Sequence, residues 1–354
     1  MKKIVFISPG PFGSLTDTYY YYINLKDSYE ITYVGFDEGK EVLKYDRIKL
    51  IHLAGGSKEL SNKIRFFLEV RKVLNHENYD FILVNYFIGC SIIRLFTRNK
   101  ITIDIRTSYI FRNKFRRLLY NIILSCESRL FKNISVISEG LANYLHLPAR
   151  CHILPLGAPL FPKIHKNFNS LKIIYVGTFH QRNISNTIFA FAKFFREFCN
   201  DIPMHYTIIG FGSEDDIVKI RTSIETEKMT DSISYLGAIR YPELTAYLNN
   251  HNIGMSYIPI EDHYDNQPPT KTFEYLLSGM AVIATGTREN QKVINYSNGI
   301  IINDSIEDIY FGLKEIFNRR TIYDTEQIQI NARKYSWEDI VTKNLIPYIE
   351  NNKS

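Results

Sequence analysis

Residues 266–285 read NQPPTKTFEYLLSGMAVIAT, and three element signals arrive there without a gap. Pro268 and Pro269 stop whatever precedes them, Thr270 is placed to cap a helix, and Phe273, Leu276, Leu277 and Met280 then recur at helical spacing. Gly279 ends that helix, and the apolar run 281–284 suits a short strand buried on both faces of a parallel sheet. One charge interrupts the pattern: Glu274 lies in the first turns, close in sequence to Lys271. A carboxylate beside helix-start amides can accept bonds from ligand hydroxyls, while the amides and Lys271 suit a phosphate. The competing reading is a surface helix whose Glu274 and Lys271 are simply solvated.

The same alternation extends outward in both directions. Strand-like runs at 3–8, 30–34, 48–52, 81–85, 100–104 and 133–137 are separated mostly by helical stretches, and the series restarts after Leu154-Pro155-Leu156-Gly157-Ala158-Pro159 with runs at 171–176, 204–209, 232–236, 253–257, 281–284 and 299–302. Strand and helix in turn imply an α/β class and parallel, doubly wound sheets. The expected organisation is a Rossmann-like domain over 1–159, a second over 160–335, and a last helix over 336–354. That helix carries Trp337, Ile340, Val341, Leu345 and Ile346 and returns to the first domain, with Pro347 cutting or kinking it late. Ligands of open parallel sheets bind beyond the carboxyl ends of the strands, so the two domains are expected to share a central cleft.

At 354 residues the chain is long enough for two full cores, and 45% hydrophobic with 23% charged residues describes a globular protein. No apolar run nears the roughly 18 residues that span a bilayer, so a transmembrane or secreted protein is not expected. Cys90, Cys126, Cys151 and Cys199 form no CxxC pair, as in a reducing cytosol. The net charge of +6 is unevenly placed: residues 1–160 carry 23 Lys and Arg against 14 Asp and Glu, the remainder 20 against 23. The first half is therefore expected to face something anionic.

Several constellations follow. The loop Ser8-Pro9-Gly10-Pro11-Phe12-Gly13-Ser14 has two glycines but not the GxGxxG spacing, so it reads as an acceptor loop or a tight turn and not as a dinucleotide site. Gly177, Thr178 and Arg182 follow the first strand of the second half, where Arg182 is a forked donor suited to phosphate oxygens. Together with Lys271 it would neutralise a diphosphate leaving group. Gly210 and Gly212 follow another strand, where a flat base or a ribose would lie. Asp104 and Arg106 end a strand of the first half; Asp104 would orient or deprotonate an acceptor hydroxyl and Arg106 would hold an acceptor phosphate, or the two pair with each other. The segment 111–132, ending at Lys132, has Phe111, Phe115, Leu118, Leu119, Ile122 and Ile123 at helical spacing with Arg112, Lys114, Arg116 and Arg117 in its first turns. Such a helix lies on an anionic membrane surface or packs on its own sheet. A more polar helix over 61–74, with Lys63, Arg65, Arg71 and Lys72, extends that surface. HExxH, GxSxG, P-loop and DxD patterns are all missing from the sequence, which removes support for metalloprotease, serine hydrolase and NTPase readings.

In order and spacing, Ile137-Ser138-Glu139-Gly140-Leu141, Leu154-Pro155-Leu156-Gly157-Ala158, Tyr175-Val176-Gly177-Thr178, Ile208-Ile209-Gly210-Phe211-Gly212, Tyr235-Leu236-Gly237 and Pro269-Thr270-Lys271-Thr272-Phe273-Glu274-Tyr275-Leu276 resemble family 4-type glycosyltransferases of the GT-B fold. The resemblance runs over nearly the whole chain. It implies an N-terminal acceptor domain, a C-terminal donor domain, and retaining transfer from an NDP-sugar with no catalytic metal and no other cofactor. In that family two glutamates serve the donor, one near the transferred sugar and one at the ribose. Glu274 matches the second, while Asn266, eight positions earlier, stands where the first is expected, so Asn266 and Gln267 are the sugar-side candidates. The family's Arg and Lys phosphate pair falls on Thr178 and on about Arg182. Asp104 is the nearest match to its acceptor-side histidine. Asp104, Arg182 and Lys271 are thus the catalytic candidates; Gly177, Thr178, Arg182, Gly210, Gly212, Asn266, Gln267, Thr270, Lys271 and Glu274 line the donor; Gly10, Gly13, Ser14, Asp104 and Arg106 lie on the acceptor side. The expected partners are an NDP-sugar and a lipid-linked glycan at the cytoplasmic face of a bacterial membrane, in surface polysaccharide assembly such as capsule or O-antigen, without nucleic acid. An NDP-sugar epimerase on the same fold and a non-catalytic sugar-nucleotide or membrane-binding protein are the alternatives.

Overall fold

The computed structural model describes residues 1–38, 45–56, 59–111, 113–268 and 270–352, so Arg112 and Pro269 lie outside the described residues. The chain divides into one unit made of Met1–Gly157 with Trp337–Ser354 and a second of Ala158–Ser336.

In the first unit, β1 (Lys2–Ile7), β2 (Tyr29–Phe36), β3 (Ile48–Leu53), β4 (Phe81–Asn85), β5 (Ile101–Ile105), β6 (Asn133–Val136) and β7 (His152–Ile153) form one sheet in the order β3-β2-β1-β4-β5-β6-β7. Every pairing in it is parallel. Ile4, Val5, Ile7, Ile82, Val84, Ile103 and Ile105 are all fully buried, as strands covered on both faces require. The two-residue β7 has too little apolar length to be read from the sequence. Helices α1 (Thr16–Leu25), α2 (Leu60–His76), α3 (Lys114–Ser128) and α4 (Glu139–Tyr144) make the crossovers. Right-handed crossovers put α1 on one face and α2, a 3₁₀ turn at Cys90–Leu95, α3 and α4 on the other. The strand order reverses between β1 and β4. Gly35 lies where this crevice begins: a β-carbon there would sit 2.3 Å from the Gly10 carbonyl oxygen, so only glycine admits the loop after β1.

The second unit repeats the plan with β8 (Leu171–Thr178), β9 (Met204–Phe211), β10 (Ile233–Tyr235), β11 (Ile253–Ser256), β12 (Ala281–Thr285) and β13 (Gly299–Ile302) in the order β10-β9-β8-β11-β12-β13, again all parallel. Helices α5 (Ser185–Phe198), α6 (Glu214–Thr226), α7 (Tyr241–Asn250), α8 (Asp262–Asp265), α9 (Thr270–Leu277), α10 (Arg288–Gln291), α11 (Ile306–Asn318) and α12 (Thr325–Ala332) connect and cover the strands. Its switch point falls between β8 and β11. Two parallel sheets of seven and six strands with helical crossovers are the two Rossmann-like domains of the GT-B fold.

The C-terminal segment belongs to the first unit. Trp337 stacks on Tyr20 with ring centroids 5.6 Å apart, and Lys2 pairs with Glu350 at 2.6 Å. Pro347 does not cut this helix. Instead α13 (Trp337–Ile340) widens into a π-helical turn, Val341–Leu345, and α14 (Ile346–Asn351) resumes with the proline in its first turn, where no amide hydrogen is needed. No helix among the described residues is long and apolar enough to cross a membrane.

Candidate functional site

In the second unit the candidate donor residues lie at or after the carboxyl ends of β8, β9 and β11. Helix α9 begins at Thr270, so the threonine sits in the first turn and does not cap it. Its apolar residues are buried as the spacing requires: Phe273, Leu276 and Leu277 are all at most 5% exposed. Tyr275 inverts the usual use of a buried tyrosine. Its hydroxyl accepts from the Val176 amide of β8 at 2.8 Å, and its ring lies so close to Gly254 that a β-carbon there would come within 2.3 Å. This ties the second half of α9 to β8 itself. A second buried chain of bonds, Ser256 to Thr272 at 2.7 Å and Thr272 to Asn290 at 2.8 Å, fixes α9 against β11 and α10.

On that frame Lys271 Nζ reaches Glu274 Oε2 at 2.6 Å, the carboxylate side chain being 8% exposed and the ammonium 25%. The solvated-surface reading of this pair therefore fails for Glu274. Arg182 stacks over the Tyr264 ring at 4.6 Å, and its buried Nε has no hydrogen-bond partner among the described residues. It sits between Gln181 and Asn183, which take left-handed backbone angles of φ +55 and +49. Tyr175, buried near Arg182 and Tyr264, has its hydroxyl pKa raised by burial, and donates to the Thr178 carbonyl at 2.8 Å. Asn266 is 6% exposed and donates to the Asp262 carbonyl at 3.3 Å; the Gln267 amide donates to Tyr264 O at 3.1 Å. Asp265 accepts from the Arg288 amide and side chain, both at 2.8 Å. Gly177 and Gly210 approach so closely that a β-carbon on Gly210 would sit 1.8 Å from the Gly177 carbonyl oxygen. Gly212 precedes α6, whose first turn holds Glu214, Asp215 and Asp216 with a Ser213/Asp216 capping box. Those acids already satisfy the helix start, so a phosphate is better served by α9, whose first turn contains none.

The acceptor-side expectations fare differently. Asp104 is 1% exposed, its Oδ1 accepting from Ser135 Oγ at 2.7 Å and lying 3.6 Å from Arg106. Burial raises its pKa, with Arg106 and Ser135 opposing. Arg106 is held by Asp17, by the Leu154 carbonyl at 2.8 Å and by the Pro155 carbonyl at 3.5 Å. The pair is thus an interior ion cluster: Arg106 has spent its donors within the unit, and Asp104 offers no exposed oxygen for proton transfer. In the loop after β1, Gly10 accepts from Tyr33 at 2.7 Å, Ser14 Oγ donates to Pro11 O at 2.6 Å, and Gly13 is exposed at φ +83. Phe12 anchors the loop among Tyr22, Tyr33 and Tyr45, with ring centroids 4.9 to 5.5 Å apart.

Helix α3 is turned inside out. Phe115, Leu118, Leu119 and Ile122 are 77, 58, 45 and 49% exposed, so packing on the unit's own sheet does not account for them. Its inward side is mainly polar. Asn121 accepts from the Tyr109 amide at 2.9 Å, and Glu127 accepts from the Ser91 amide at 2.9 Å, the Gly89 amide at 3.1 Å and the Tyr86 hydroxyl at 3.2 Å. Leu60, Ile64 and Leu68 of α2 and Ile92 and Leu95 of the 3₁₀ turn are exposed on the same layer. Sequence periodicity found the stripe on α3 but could not say which way it pointed. It missed a cavity of about 300 Å³ at the β1/β4 switch, lined by aromatic residues at the ends of β2 and β4 and on α2.

No protein-family model matches the chain, and no curated protein sequence matches it. Among solved structures it is similar to sucrose-phosphate synthase from Thermosynechococcus elongatus, at 14% identity and TM-score 0.76 over 99% of each chain. It is also similar to HepE from Anabaena, solved in complex with UDP and glucose, at 13% identity and TM-score 0.75 over 99% of each chain. A third is the lipopolysaccharide outer core galactosyltransferase WaaB, at 15% identity and TM-score 0.69 over 98% of this chain and 99% of that one. At such identities the likeness establishes the shared fold.

Proposed function

We propose that this chain is a glycosyltransferase that moves a sugar, with retention, from an NDP-sugar to a lipid-linked glycan of a bacterial surface polysaccharide. The observation that carries this reading is the anchored constellation of Glu274, Lys271 and Arg182 at the switch point of a GT-B second domain. Glu274 accepts from the ribose hydroxyls, releasing its bond to Lys271. Negative charge gathers on the diphosphate as the glycosidic bond breaks, and Lys271 with Arg182 offsets it without a metal ion. Asn266 and Gln267 serve the sugar, and Gly177, Thr178, Gly210 and Gly212 give the nucleotide close backbone approach. The outward apolar stripe of α3, with Lys114, Arg116, Arg117 and Arg129, supports peripheral attachment to the anionic inner face of the membrane.

The test is transfer from a panel of NDP-sugars to isolated lipid-linked acceptor, in the presence of EDTA. Glu274→Ala and Arg182→Ala are each expected to lower turnover at least about 100-fold, the range seen when a charge-stabilising donor is removed. Unchanged transfer in both variants sinks the site assignment, and loss of wild-type transfer in EDTA sinks metal independence.

A further inference from the structure

The cavity at the β1/β4 switch has no part in the donor chemistry, yet it occupies the crevice at which open parallel sheets take their ligands. Its wall is a connected set of rings: Phe36 stacks on Phe66 at 5.4 Å, Phe66 meets Phe87 at 5.8 Å, and Phe67 meets Phe87 at 6.1 Å. Two tyrosines complete the lining but bring little free polarity. The Tyr86 hydroxyl donates to Glu127 at 3.2 Å, and Tyr109 is hydrogen-bonded to Tyr86. A saccharide would need several convergent donors and acceptors, whereas hydrocarbon needs none. The charged group that remains on the lining is Lys63, which is exposed and makes no ion pair among the described residues. The mouth is apolar too: Ile88 lines the cavity and is 45% exposed, and Ile64, beside Lys63 on α2, is 54% exposed. A chain arriving past Ile88 would therefore meet apolar surface at the mouth, with Lys63 as the charge beside it.

We propose that this pocket seats the apolar chain of a phosphate-bearing lipid, with Lys63 at its mouth binding the phosphate. Calling that lipid the acceptor rests on the transferase reading; its binding does not. The probe is farnesyl phosphate, titrated calorimetrically below its micellar concentration into the full chain, with farnesol, inorganic phosphate and glucose as controls. Farnesyl phosphate is expected to bind saturably and glucose not to bind. Phe67→Gln and Ile88→Gln should each weaken farnesyl phosphate and farnesol about tenfold. Lys63→Ala, a change to an exposed side chain, should weaken farnesyl phosphate about tenfold while leaving farnesol unchanged. Melting temperatures equal to wild type separate these effects from misfolding. The proposal is overturned if binding is unaffected by all three changes, if it is lost on Phe115→Ser of α3 instead, or if glucose binds in the lipid's place. Absence of turnover with any NDP-sugar, together with pocket-dependent lipid binding, would reject the transferase and keep the pocket. Intact transfer with an unchanged lipid KM in Phe67→Gln and Lys63→Ala would do the reverse.

Discussion

Helices α3 and α11 are both strongly amphipathic helices packed on parallel sheets, and they face opposite ways. Helix α11 buries Ile309, Leu313, Ile316 and Phe317, the last against Phe194 and Phe198 of α5 at 6.0 and 4.9 Å. Helix α3 buries Asn121, Ser125, Glu127 and Ser128 around a single Leu124 and turns its apolar stripe to the outside. The difference lies in what waits beneath each helix. Under α11 there is a bare apolar layer; under α3 there are loop amides at Gly89, Ser91 and Tyr109 that need acceptors. An unmet buried amide costs about 1–3 kcal/mol, so the polar side goes in and the apolar side is left for another environment. Of 24 exposed large apolar residues among those described, 15 fall in the first unit, which is also the half with the positive charge. Exposed apolar area and positive charge therefore coincide in the first unit, and the second has less of both.

The largest effect expected from this contrast is on the α11 layer. Phe191→Ala, which truncates a fully buried ring of α5, should destabilise the second unit by about 3–5 kcal/mol in denaturant unfolding. Phe115→Ser combined with Leu118→Ser should leave the melting temperature nearly unchanged and lower partition onto anionic vesicles roughly 100-fold, since each side chain carries about 1.5 kcal/mol or more on burial. A large fall in stability there would mean that α3 packs on its own unit. Acid should act on the second unit through His251, which bonds to Tyr247 O and Thr207 Oγ1 at 2.6 and 2.8 Å and is pushed by burial down to about 4. Above the unfolded-state value near 6.5 both states are neutral; below it the unfolded chain takes up a proton first. Stability should therefore fall as pH drops from about 6.5 to 4, by up to about 3 kcal/mol, and His251→Gln should flatten that window. The smallest effect is at Asn121→Ala, which strands the Tyr109 amide and should cost about 1 kcal/mol.

All twelve strands expected from apolar runs are present, because a strand covered on both faces must be apolar throughout. The buried Lys271–Glu274 pair was legible for a related reason: the two charges interrupt an otherwise apolar helix, and interruption is visible in one dimension. Asp104 and Arg106 mislead because Asp17 and Ser135, which hold Arg106 and Asp104 Oδ1, come from 87 positions before Asp104 and 31 after it and carry no local pattern. Tyr264 under Arg182, and the ring-lined cavity, are likewise assembled from separate elements.

Finally, the Lys2 to Glu350 ion pair has a consequence for how the molecule is made. The first unit lacks Trp337, Val341, Leu345 and Ile349, all buried, until every residue of the second has been synthesised. Its sheet must therefore wait with the α1 side only partly covered while its neighbour, encoded by a continuous stretch, can close at once. Domains ordinarily mature from the N-terminus onward. Here the order of birth and the order of completion are reversed, and a nascent chain halted near residue 336 should hold a finished second unit and an open, chaperone-dependent first one.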